Sequence, residues 1–127
     1  MFRSFLTSVL LLSPAALAAQ EAPVVLAQLE PAERVALRCG VAFGMIAEGQ
    51  ARGDPRAAEY PAMQTRGREF FVRNTAALME KRSLTHEQAR RLSFDTLMEI
   101  TGEGTEAREA MMPTCLRFAG RIRSLIR

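Results

Sequence analysis

The chain is poor in the residues that build reactive centres. It has one His, no Trp and two Cys among 127 residues. That inventory excludes most zinc sites, c-type haem attachment and Cys-rich disulfide frameworks. Asp occurs only as Asp54 and Asp95, and Lys81 is the single Lys beside 16 Arg. The sequence contains no phosphate-binding P-loop, no G-x-G-x-x-G, no H-E-x-x-H and no EF-hand loop. The excess of cations is small, a net charge of +3, and does not point to nucleic acid as a partner. With 48% apolar and 24% charged residues, the composition is that of an ordinary globular protein. The length suits one domain.

The first 19 residues read as a cleavable export signal. Arg3 supplies the positive start, Phe5 to Leu12 the apolar stretch, and Pro14 its end. Ala16-Leu17-Ala18 is an A-x-A cleavage site, with Leu17-Ala18-Ala19 one residue later. The apolar stretch is far shorter than the roughly 20 residues that span a bilayer. Cleavage removes only Arg3 among the charged residues, so the mature chain carries +2. The short leader and the Arg bias suit a periplasmic or secreted bacterial product. Residues 20–30 are expected as a linker and residues 31–127 as a helical domain.

Apolar spacing is helical almost throughout, and no segment alternates with period two for long. Pro31 is a suitable first residue for a helix over about 31–50. Asp54-Pro55 then predicts the cap of a short helix ending near Tyr60-Pro61. A second long helix is expected over 62–82, with the stripe Met63, Gly67, Phe70, Phe71, Asn74, Ala77, Leu78. Thr85 and Gln88 form a capping box for a third, with Ala89, Leu92, Thr96, Leu97 and Ile100 on its apolar face. Gly102-Glu103-Gly104 ends it, and a last helical stretch runs from 105 to about 126. There Ala107, Met111, Cys115, Phe118, Ile122 and Leu125 stay in phase across Pro113, which either kinks one helix or separates two. The pieces predict an all-α, small four-helix bundle-like domain.

The cysteines occupy matching positions. At 100° per residue Cys39 falls amid Val35, Ala42, Phe43 and Ile46, and Cys115 amid Phe118, Ala119, Ile122 and Ile126. Two core-facing cysteines in an exported chain are expected to pair as a Cys39–Cys115 disulfide tying the first helix to the last.

No convergent catalytic set emerges. His86 sits in the first turn of the third helix without a second His, and no nucleophile-elbow glycines surround any Ser. The expectation is a protein without catalytic, cofactor-binding or metal-ligating residues, hence not an enzyme. Glu69 and Arg73, spaced i,i+4 in the favourable order, are the clearest local ion pair.

Leu84-Thr85-x-x-Gln88 resembles the signature of the LTxxQ-motif periplasmic stress chaperones, which are small, exported and all-helical. That family usually carries two copies of the motif and no disulfide, whereas this chain has one copy and two Cys. The stretches ALRCGVAFGMIAEGQARGD, YPAMQTRGREFFVR and MMPTCL resemble exported two-cysteine helical proteins of alphaproteobacteria. That second resemblance implies no activity. The first implies a stress-related role.

Three surfaces are candidates for contact. On the first helix Leu37, Val41 and Met45 form a second apolar row beside the face holding Cys39, separated from it by Ala32, Ala36, Gly40 and Gly44. This row is either core of a central helix or a face for a protein partner or a second copy. Arg66 and Arg73 lie on one side of the second helix with Glu69 and could contact an anion or an acidic partner. The C-terminal segment places Arg117, Arg121, Arg123 and Arg127 opposite Phe118, Ala119, Ile122, Leu125 and Ile126, a pattern compatible with a membrane surface. The leading expectation is a non-enzymatic periplasmic binding or stress-related module acting through protein contacts. A holdase for unfolded clients and membrane-surface association are the alternatives.

Overall fold

The computed structural model describes residues 23–125, with side chains through Arg121. The leader 1–19 and residues 20–22 of the expected linker lie outside the described residues. So do Ile126 and Arg127, and the side chains of Ile122, Arg123 and Leu125. Among the described residues there is no strand and no helix long and apolar enough to cross a membrane.

Helix α1 spans Pro31–Ala51, starting at the proline as expected. The Glu30 N–H donates to the Glu33 carboxylate at 2.8 Å, which satisfies one of the donors a helix start leaves unpaired. Asp54 caps α2 (Pro55–Ala58) by accepting from the Arg56 N–H at 2.9 Å. Helix α3 covers Arg66–Arg82 and stops at Ser83 in a left-handed conformation. It starts four residues later than the apolar spacing suggested. Residues 61–65 are held outside the helix by Gln50, whose amide nitrogen lies 3.0–3.1 Å from the carbonyls of Ala57, Tyr60 and Pro61. The Gln50 carbonyl accepts from the Met63 N–H at 3.0 Å. One side chain thus fixes the path from α2 to α3.

Helix α4 runs from His86 to Leu125 and opens on the Thr85–Gln88 capping box, with reciprocal hydrogen bonds of 2.8 and 3.2 Å. Its one non-helical residue is Gly104, at φ 90° and ψ 174°. That region is open essentially to glycine alone. The break yields two arms, 86–103 and 105–125, and helix continues through Pro113 in the second. The expected division at Gly102–Gly104 is therefore present, and Pro113 separates nothing.

These segments form the all-α, bundle-like domain that the spacing predicts. α1 is its central helix, in contact with α2, α3 and α4. Around its C-terminal half lies one core cluster, with Cys39, Ala42, Phe43 and Ile46 against Ala57, Met63, Phe70, Met112 and Cys115. Phe43, Phe70 and Phe118 stack edge to face, with centroids 5.1 and 6.1 Å apart. Cys39 and Cys115 are joined by a disulfide, Cα atoms 5.2 Å apart, binding α1 to the second arm. A second cluster surrounds the N-terminal half: Leu29, Leu37, Leu78, Leu84 and Leu92. Residues 23–30 carry a 3-10 turn, Leu26–Gln28, and pack Leu29 into this cluster with Val24 and Leu26 against its edge.

Candidate binding groove

Leu37, Val41 and Met45 do not share one environment. Leu37 is buried among Leu29, Leu78, Leu84 and Leu92 and belongs to the core. Val41, almost as buried, and Met45, half-buried, border an open groove between α1, α3 and the first arm of α4. The predicted contact row is thus closed at one end and open at the other.

The groove has a volume of about 580 Å³. Along α1 it is lined by Gly40, Val41, Gly44, Met45 and Glu48, on α3 by Phe71, and on α4 by Phe94 and Leu97. Its lining is apolar almost throughout. Phe94 is 56% exposed. The two glycines do different things. A Cβ on Gly40 would sit 3.0 Å from the Phe71 ring, so this residue lets α3 approach α1. A Cβ on Gly44 would meet nothing within 4 Å. Gly44 leaves a strip of helix backbone bare at the floor of the groove. Arg68 stands on the α3 side and Arg90 on the α4 side.

Two sets of charged residues bear on the helices around the groove. One set holds helices together. Arg82 donates two hydrogen bonds to Glu33, at 2.5 and 3.0 Å, and Lys81 bridges Glu33 and Glu30 at 3.1 and 2.8 Å. The Arg82 hydrogen bonds, with help from the Glu30 N–H and Lys81, lower the Glu33 pKa from 4.5 to about 2. Arg38 joins α1 to the first arm of α4 through Glu103 at 2.5 Å and Glu99 at 2.7 Å. Its hydrogen bond holds the Glu103 carboxyl below the usual range, and the same contacts raise the Arg38 guanidinium.

The other set is exposed and uncommitted. Arg66, Arg68 and Arg73 on α3 are exposed and form no ion pair among the described residues. Glu69 and Arg73, expected as an i,i+4 pair, do not pair, since both side chains extend into solvent where such a contact is worth only a few tenths of a kcal/mol. Arg66 and Arg73 do not converge into a pocket. Arg73 lines a shallow depression with Arg68, Glu69 and Val72, and Arg66 is not part of it. His86 is exposed, and among the described residues no three His, Cys, Asp or Glu side chains cluster to hold a metal.

Of the row named from the sequence, Val41 and Met45 border the groove, and Gly40 and Gly44 of the small-residue row lie on it; sequence reasoning did not define the groove itself. It missed Phe94, whose signal is an aromatic displaced from the Leu92–Thr96–Ile100 face of its own helix. Comparison with protein-family models, with curated proteins and with solved structures finds no match.

Proposed function

We propose that this chain is a non-enzymatic binding module of the periplasm, or of the secreted space, that holds a helical segment of a protein partner in the α1–α3–α4 groove. The observation carrying this reading is Gly44. Glycine inside a helix costs about 1 kcal/mol relative to Ala. At Gly40 close packing on Phe71 accounts for it; at Gly44, as at Gly102 and Gly120, a Cβ would meet no described atom within 4 Å, and of these three Gly44 is the one on the groove floor. A bare backbone strip flanked by Val41, Met45, Phe71 and Leu97 is the surface a second helix needs for close approach. The groove is open rather than enclosed, which suits a helix laid along it more than a small molecule, whose pockets bury most of the ligand. The tripartite leader and the Cys39–Cys115 disulfide support an oxidising, exported setting.

The test is in-situ cross-linking with mass spectrometry, comparing the natural chain with Gly44→Leu, whose Cβ meets no atom within 4 Å and whose branch projects into the groove; an unchanged melting temperature checks that the fold is kept. One defined adduct lost on filling the groove is the expected result. Adducts that are identical in both proteins refute the assignment. A broad spread of clients, lost together, favours the holdase reading instead. Val41→Glu is a poorer probe, because Val41 is only 9% exposed and the substitution also injures the core.

A further inference from the structure

Given that the groove is the binding site, we infer that its occupant is an amphipathic helix whose apolar stripe is bordered on both sides by acidic residues. The first argument is spacing. Val41, Gly44, Met45 and Glu48 follow one another at i, i+3, i+4 and i+7, so the floor is a single helical stripe running lengthwise. Phe71 on one side and Phe94 with Leu97 on the other make apolar walls. A helix lying between them buries a stripe of its own, and its small or flat residues can sit against the Gly44 backbone.

The second argument is charge. Each wall ends in an arginine, Arg68 on α3 and Arg90 on α4. Arg68 forms no ion pair among the described residues. Among the described residues Arg90 pairs with Glu87 alone, one turn earlier on its own helix, at 2.7 Å with both side chains about three-quarters exposed. An exposed contact of that kind is exchanged readily for another carboxylate. The single acid on the lining, Glu48, lies on the floor at the α1 end rather than on either wall, and pairs with Arg52 at 3.0 Å in an exposed contact of the same exchangeable kind. Arg66 and Arg73 extend the positive character along α3, with Glu69 the only acid between them. A helix in the groove therefore has its two flanks facing guanidinium groups. Carboxylates on those flanks gain paired contacts, and ammonium or guanidinium groups there face like charge.

The experiment uses fluorescein-labelled helical peptides of identical Leu/Ala stripe, one flanked by Glu and one by Lys, titrated against the mature chain by fluorescence anisotropy. The Glu-flanked peptide is expected to bind at least about tenfold more tightly than the Lys-flanked one. The margin narrows as salt rises. Arg68→Glu with Arg90→Glu is expected to reverse the order while leaving thermal melting unchanged. Gly44→Leu is expected to abolish binding of both. Equal affinity for the two peptides, with both lost in Gly44→Leu, overturns the acidic-flank inference and leaves the groove standing. Binding that survives Gly44→Leu, or no binding of either peptide, overturns the groove as the site. Preference for vesicles of anionic lipid over the Glu-flanked peptide overturns the choice of a protein helix.

Discussion

Gly44→Ala and Gly49→Ala change the same atoms in the same helix, yet the structure assigns them opposite effects. Replacing a helical glycine by alanine gains up to about 1 kcal/mol of helix propensity. At Gly44 nothing opposes that gain, because the new methyl meets no atom within 4 Å. At Gly49 the methyl would fall 2.8 Å from the Ala57 Cβ. Alanine has no flexible end to swing aside, so α2 must move, and α2 is anchored by the Asp54 cap and by Gln50 at the Ala57 carbonyl. Such overpacking costs about 1–3 kcal/mol, which exceeds the propensity gain near the end of α1. Melting followed by far-ultraviolet circular dichroism measures both. For a domain of this size about 1 kcal/mol moves the midpoint by roughly 4–8 °C. Gly44→Ala is expected to raise Tm by about that amount, and Gly49→Ala to lower it. A lowered Tm for Gly44→Ala would show that the groove floor is occupied within the fold, and the argument for an external helix would fall with it.

Other consequences follow from the covalent and polar contacts. Replacing both Cys39 and Cys115 by Ala is expected to lower stability by up to about 4 kcal/mol, with helical content kept at low temperature; thiol titration of the denatured natural protein should find no free thiol. The depressed Glu33 pKa means that its contribution is full above about 4.5 and is lost as pH falls toward about 2. Glu103 acts in the same direction. Urea unfolding across that range should show the loss, and Glu33→Gln should flatten it; an unchanged profile in Glu33→Gln would refute the assignment. Gln50→Ala removes the contacts to Ala57, Tyr60, Pro61 and Met63 and is expected to cost about 1–3 kcal/mol. Faster hydrogen exchange at the Met63 amide would report it, and unchanged protection would refute the clamp.

The fold was readable where punctuation is chemical. Pro31, Asp54-Pro55, Thr85 with Gln88 and the Gly102–Gly104 stretch each mark a boundary that the backbone observes. The disulfide followed from two cysteines centred on apolar faces. Three features needed the tertiary structure. Leu29 packs from a 3-10 turn too short to carry a 3.6-residue period. Met63 is in phase with α3 but its N–H is taken by Gln50, 13 residues earlier. Pro113 is exposed inside a helix that its neighbours hold, for Met112 and Cys115 are both buried beside it.

The groove itself was not readable from the sequence, for a geometric reason. A row at i, i+4, i+8 states which side of a helix is apolar, but not where the flanking helices diverge along that side. At Leu37 they close over the row through Leu78, Leu84 and Leu92; by Val41 and Met45 they have opened into the groove. Charge behaves the same way. The local rule selected Glu69 and Arg73, which do not meet, while the pairs that hold helices together, Arg38 with Glu99 and Arg82 with Glu33, lie 61 and 49 positions apart. Those pairs tie up charge at the helix seams and leave Arg68 and Arg90 beside the groove without an interhelical partner among the described residues. Availability of charge at a surface is therefore decided by which carboxylates the seams consume, and that is settled only when α1, α3 and α4 are packed together.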